Sequence, residues 1–409
     1  MPLSLHETVR ETHETPHEAQ PVSAPVVPGA ATRLLEAYSP ATDRFLATPH
    51  RTLLGSGTAA RIPDDSRPPA ERVREVLGAL RRPGAPAPVV VGALPFASEA
   101  PTALAVPQTV RWAPPLREDP LIALPVPDEA ERDWRVREVP GPEHYGEAVA
   151  AAVGRMRAGE FDKVVLARTL ELTSARDPDL PAMLRRLARR DPAGYTFALP
   201  SGPGRTLIGA SPELLVAKDG GRLTANPLAG SAPRSADLAE DVRHAVALLE
   251  SEKDLHEHAV VVAAVQEALA PFCVSLRVPE RPTLVRTAAM WHLSTTVTGE
   301  LADPGATALD LASALHPTPA VCGTPTEVAR SVIAESEPFD RGAYTGMVGW
   351  QDADGDGEWV VTIRCAEAEG RSLRLFAGAG VVAASTPEAE TAETAAKFRT
   401  FLHAVGASL

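Results

Sequence analysis

The stretch FDKVVLARTLEL (Phe161–Leu172) decides how the rest of the chain reads. Lys163, Val165 and Ala167 alternate with Val164, Leu166 and Arg168, and the run is bounded by Gly159 before and Ser174–Pro178 after. Short apolar runs between turn residues are strands. Just upstream, Gly141–Gly159 sets Tyr145, Val149, Ala152, Val153 and Met156 on one stripe, the pattern of an amphipathic helix. Downstream, Pro181–Arg190 predicts a short helix. Tyr195–Leu199, Thr206–Ala210, Leu214–Lys218 and Leu223–Asn226 predict short strands between Gly and Pro turns. Ala239–Ala270 is the longest helical stretch, and Thr307–Leu315 and Thr326–Ser336 are further helices. Gly346–Gln351, Glu358–Glu367 and Ser372–Gly378 read as three strands in hairpin succession. A last helix runs from Pro387 to about Val405. Antiparallel strands interrupted by helices predict an α+β fold.

Towards the N-terminus the pattern thins, because much of the chain's proline falls there. Phe45–Gly57 reads as two short strands around a Pro turn, Ala87–Phe96 as a buried strand, and Pro114–Asp133 as a connector. Residues 31–135 are expected to complete the same unit as a catalytic core over 136–409, giving a single α+β domain over 31–409. Residues 1–30, rich in His, Glu, Thr and Pro, read as a disordered tail. Its histidines, with His50 further on, suggest a solvated segment more readily than a metal site.

A net charge of −13 argues against nucleic acid or an anionic membrane as partner. An anionic substrate would need local positive charge, from a metal ion or from placed Arg and Lys. Cys273, Cys322 and Cys365 are few and far apart, with no C-x-x-C, which speaks against disulfides or zinc and for a reducing cytoplasm. No apolar signal core or membrane-spanning run is visible, so a soluble protein is expected.

Two motifs mislead. DADGDGE (Asp352–Glu358) imitates a calcium loop, but the twelfth position, which needs a bidentate acid, is Ile363; a polar hairpin turn is expected instead. GAGVVA (Gly378–Ala383) imitates a dinucleotide-binding turn, but the strands before it form a meander and Val381–Val382 extend rather than coil.

Two acidic helix faces stand out. Asp254, Glu257 and His258 sit at i, i+3 and i+4, and Glu390, Glu393 and Lys397 at i, i+3 and i+7. Each alone is a solvated stripe at a helix start. Together they offer carboxylates from two helices, an oxygen set that suits Mg²⁺. Lys163, in its apolar strand, is either an edge-strand charge or a positioned base, whose burial would lower its pKa towards neutrality. Glu213, between Ser211–Pro212 and the apolar LLVA, is either a turn acid or a desolvated general acid.

The motifs FDKVVLAR, GASPELL, NPLAGSAPR, SEKDLHEHAVVV, MWHLSTTVTGEL, LHPTPAVCGTP, YTGMVGW, VTIRCAE and AGAGVVAASTPEAETAETAAK follow one another in the order of a known family. The chain resembles the chorismate-utilising enzymes, strongly from about residue 140 onward and more weakly back to about residue 30. The resemblance implies their fold, with large, mostly antiparallel sheets packed with helices. It implies Lys163 as the base that activates water and Glu213 as the acid that protonates the departing hydroxyl. Asp254, Glu257, Glu390 and Glu393 would hold Mg²⁺. Gly230, His292, Ala320, Tyr344, Arg364, Gly378 and Lys397 would contact chorismate.

Within the family, Lys163 favours water over ammonia as nucleophile, since the similar anthranilate synthases carry another residue there. No amidotransferase segment or subunit is expected, and the chain is expected to be a monomer. LHPTPAVCGTP looks like the isochorismate synthase version, with Ala320 where aminating and salicylate-forming relatives have Thr. The motifs look more like the siderophore type than the menaquinone type. The expectation is therefore an Mg²⁺-dependent isochorismate synthase. Salicylate synthase is the alternative, and a non-catalytic chorismate-binding protein a third.

Overall fold

The computed structural model describes residues 27–125 and 134–407. The strand opened by FDKVVLAR runs from Lys163 to Thr173 and is the spine of the larger sheet, pairing along its whole length with Ser372–Val382. That sheet continues through Cys365–Glu369, Arg205–Ser211, Tyr195–Gly202, Asp43–Ala47 and Thr52–Ser56 to Thr109–Ala113. On the other side of the Lys163 strand lie Gly323–Thr324 and Arg135–Val139. A second sheet runs from Cys273–Arg277 through Val297–Leu301, Arg222–Asn226, Leu214–Asp219, Gly357–Val361 and Met347–Asp352 to Val89–Leu94, Ala103–Val106 and Ala60–Arg61. A small third sheet joins Leu228–Pro233, Met290–Ser294 and Thr283–Arg286. All the pairings are antiparallel.

The layers follow from which faces are apolar. Leu46, Phe197, Leu207 and Phe376 of the first sheet meet Val91, Val348, Trp350 and Val360 of the second in a shared core. Helices Leu180–Arg190 and Pro387–Val405 cover the outer face of the first sheet through Leu184, Leu187, Phe398 and Phe401. Helices Pro69–Leu80, Glu252–Leu269 and Ala308–Leu315 cover the second through Val73, Leu77, Val265, Leu269 and Leu311. Val164 and Leu166 lie under helices Pro142–Arg157 and Thr326–Ser336. A four-layer sandwich of helices, sheet, sheet and helices results, the α+β arrangement expected. Strands from the N-terminal third enter both large sheets, Asp43–Ala47 the first and Val89–Leu94 the second.

Some boundaries differ from expectation. Residues 1–26 of the expected tail lie outside the described residues, as do 126–133 of the connector. The end of that tail is ordered: the backbone N–H of Gly29 donates to Asp119 Oδ1 at 2.9 Å, and helix Ala30–Glu36 begins there. The long helix expected over Ala239–Ala270 is two helices, Leu238–Glu250 and Glu252–Leu269. Ser251 breaks it by taking an extended conformation and capping the second helix, its Oγ accepting from Asp254 N at 3.2 Å. The strand expected over Glu358–Glu367 is interrupted at Arg364, whose φ of 51° is left-handed, and the chain passes there from the second sheet to the first. DADGDGE is the hairpin turn between Met347–Asp352 and Gly357–Val361, and GAGVVA falls largely within strand Ser372–Val382. His50 lies against Glu358 at 3.2 Å. The three cysteines are free.

Candidate active site

The three sheets meet helices Glu252–Leu269 and Pro387–Val405 around one cleft of about 830 Å³, part of it open to solvent. Of the residues expected at the site, all but Lys163 and Glu390 line it. Lys163 is next to it: its Nζ donates to the lining Glu257 Oε1 at 2.7 Å. Glu390 stands behind, 1 % exposed, 3.4 Å from Lys253 Nζ, and its Oε2 has no hydrogen-bond partner.

One wall is built of ion pairs. Lys163 is buried, and it is not a lone amine; the pair with Glu257 makes it a donor. Burial pushes the Glu257 carboxyl up. Lys163, Lys397 and Lys253 together outweigh burial and hold it below the usual range. Lys397 Nζ donates to Glu393 Oε1 at 2.5 Å and to the carbonyl of Gly378 at 2.8 Å. Asp254 shares a 2.5 Å hydrogen bond with Ser251 Oγ, and burial raises its pKa. Burial also raises that of Glu390, with the neighbouring Glu393 adding to it.

The opposite chemistry belongs to the residues brought by the second and third sheets. Glu213, next to strand Leu214–Asp219, is 3 % exposed. Burial pushes its pKa up to about 7, because the nearest hydrogen-bond donor is Leu228 N at 3.5 Å and no cation pairs with it. His292 is buried beside Arg364, whose Nη2 is 3.3 Å from His292 Nε2. Burial, with Arg364 and Lys397 near, pushes the imidazole pKa far down, so it is neutral, with Nε2 as acceptor. Tyr344 stacks on Phe376 at 4.9 Å between ring centroids. Ala320 lines the cleft from the loop before Gly323–Thr324.

Glycine makes the close approaches possible. A Cβ on Gly378 would lie 2.8 Å from the Tyr344 hydroxyl, and one on Gly230, whose φ is 79°, would lie 3.0 Å from Asp254 Cβ. Gly380 was not anticipated. A Cβ there would lie 2.6 Å from Glu257 Oε1, so the Lys163–Glu257 pair nestles against bare backbone. Two glycines in one strand were its sequence signal. Lys253, Ser231 and Thr345 also line the cleft; they fall within the motifs SEKDLHEHAVVV, NPLAGSAPR and YTGMVGW, which did not single them out.

A divalent metal was expected on four carboxylates. Among the described residues no three Asp, Glu, His or Cys side chains converge into a metal-holding group. Mg²⁺ asks for less, about one or two carboxylates with waters and substrate oxygens filling the rest. Glu257 and Glu393 lie on two helices of one cleft, and the unpartnered Oε2 of Glu390 lies behind them. That donor set fits.

Comparison with known proteins gives the cleft a context. Residues 122–406 match the family model described as chorismate binding enzyme. The isochorismate synthase DhbC of Bacillus subtilis is 52% identical over 92% of this chain and 96% of its own length. The vibriobactin-specific isochorismate synthase of Vibrio cholerae is 42% identical over 89% and 92%. A crystal structure from Bacillus anthracis, described as a 2,3-dihydroxybenzoate-specific isochorismate synthase, DhbC, superposes with a TM-score of 0.86 at 47% identity, covering 92% of this chain and 100% of that one. With a cleft built from three sheets, a family model spanning most of the chain and relatives aligned almost end to end, the chain belongs to the chorismate binding enzyme family.

Proposed function

We propose that the protein is an isochorismate synthase, an isomerase that converts chorismate to isochorismate with Mg²⁺. The observation that carries the reading is Glu213: a buried carboxyl that keeps its proton near pH 7, in a cleft that Lys163, brought by the other large sheet, borders through its pair with the lining Glu257. The chemistry needs those two functions. Lys163 takes a proton from water as its oxygen bonds to ring C2. The double bonds shift, and the C4 hydroxyl leaves as water with the proton of Glu213. Water enters and water leaves, so the conversion is a reversible isomerisation. An ammonium only donates, so Lys163 accepts the proton of water as the neutral amine, after the proton it shares with Glu257 has left.

Chorismate is a dianion, and Arg364 and Lys397 supply positive charge that the chain as a whole lacks. Arg364, Tyr344 and the backbone of Gly378 take the enolpyruvyl carboxylate; Gly230, His292 and Ala320 line the ring. Mg²⁺ would be held by Glu257 and Glu393, with Asp254 beside them in the cleft and Glu390 outside its lining, directly or through waters, and would supply positive charge to the ring carboxylate. The siderophore branch is the context we favour, supported by the likeness to DhbC and to the vibriobactin-specific enzyme. We take residues 31–409 as one folding unit acting as a monomer in the cytoplasm. Among the described residues no helix is long and apolar enough to cross a membrane.

Incubation of the protein with chorismate, with and without Mg²⁺ and EDTA, tests this. Isochorismate without pyruvate release, lost with EDTA, is the expected result. Salicylate with pyruvate would replace the reading by the salicylate synthase alternative. Binding without turnover would overturn catalysis.

A further inference from the structure

The strand that carries Lys163 has a gap along one edge. Gly323–Thr324 pairs with it at Val164 and Lys163, and Arg135–Val139 pairs with it only from Thr169 onward. Val165 N still donates to the Cys322 carbonyl at 2.8 Å, and from the Val165 carbonyl to Ala167 N side chains complete the edge. Glu337 Oε1 accepts from Ala167 N at 2.8 Å, and Arg341 Nη2 donates to the Val165 carbonyl at 2.7 Å. Glu337 and Arg341 are themselves paired, Nη2 to Oε1 at 2.5 Å and Nε to Oε2 at 2.8 Å, and both are almost fully buried.

Arg341 does more than fill the edge. Its Nη1 donates to the Val321 carbonyl at 2.9 Å and to Thr345 Oγ1 at 3.1 Å. Val165, Val321 and Thr345 all line the cleft, from three different segments of the chain. Each is one or two residues from a group assigned above to chorismate: Lys163, Ala320 and Tyr344. Thr345 has a left-handed φ of 57°, unusual for a β-branched residue, and Arg341 is among the groups that hold it there. A planar, forked donor can serve three segments and a carboxylate at once; a lysine ammonium is a single point.

We infer that Arg341 is a positioning residue for the isochorismate reaction, setting the spacing of the three segments that carry Lys163, Ala320 and Tyr344. Glu337 orients it. The inference rests on the function proposed above. It acts through alignment, where a displacement of about 1 Å costs about a hundredfold in rate.

The test is Arg341→Lys, with Thr345→Val as the gentler variant that keeps the buried ion pair. For each, kcat and KM for chorismate are measured together with amide hydrogen exchange. Arg341→Lys is expected to lower kcat at least tenfold and raise KM less than threefold. Exchange should quicken at 163–167, 320–323 and 343–346, with the rest of the chain unchanged. Thr345→Val should lower kcat two- to fivefold, with faster exchange at 343–346. A folded Arg341→Lys protein with parental kcat and local exchange overturns the inference, as does exchange that quickens uniformly, the mark of lost global stability alone. If Arg341→Lys does not fold, parental kcat and exchange in Thr345→Val overturn it. If the unaltered protein makes no isochorismate, the proposed function fails. The exchange pattern then decides separately whether Arg341 ties the three segments.

Discussion

Glu257 and Glu213 are the same side chain, buried in the same cleft, and they behave in opposite ways. Glu257 has Lys163 at 2.7 Å and is held ionised. Glu213 has only a backbone N–H at 3.5 Å, with Lys163, Lys397 and Arg364 acting from further away, and burial leaves it protonated to about pH 7. A charge at hydrogen-bond distance offsets desolvation; the same charge further off does not. The cleft thus holds one wall of ionised pairs and another on which Glu213 and His292 stay neutral beside Arg364, and acid–base chemistry across an allylic ring needs both.

Breaking the ionised wall should have the largest effect. Lys163→Ala removes the proton acceptor and strands Glu257; isochorismate formation, followed by chromatography, should fall about a thousandfold. A fall of less than tenfold would move the base elsewhere. On the neutral wall, Glu213→Gln should cost on the order of a hundredfold. It should also change the pH profile. Because burial raises the Glu213 pKa, its acid form is present below about pH 7 and lost above it. The rate of the unaltered protein should therefore decline above about pH 7, and Glu213→Gln should abolish that limb. A limb that persists belongs to another group. The smallest effect sharpens the contrast. Gly380→Ala pushes against the end of the Glu257 side chain, which can swing away, so the melting temperature should barely move. The displaced pair should still cost about tenfold in kcat, in keeping with the price of misplacement. Unchanged kcat would mean that the contact between Glu257 and the Gly380 backbone is incidental.

The elements with strong periodicity were legible. Helix Pro387–Val405 and the strand from Lys163 came out at or near their observed bounds, because apolar spacing is a local property. Where a break depends on one residue's conformation it was missed. Ser251 ends a helix without Gly or Pro, though Ser-x-x-Asp is itself a capping signal. Arg364 turns a strand with a left-handed φ that no residue type announced. At the site, candidate residues were named through the family's ordered motifs. Lys253 and Gly380, inside those motifs, and Arg341, outside them, were not singled out, since each matters through partners far off in sequence.

Residue types, their periodicity and their ordered motifs, all properties of the chain itself, were enough to set the α+β class and to name the acids and lysines of the site. Which carboxylate is ionised and which stays neutral was decided only by the tertiary structure. That choice depends on a few ångströms between groups as far apart in the chain as Lys163 and Glu257. Burial and ion pairing, the two terms that set a carboxyl's charge, exist only once the sheets and helices have met.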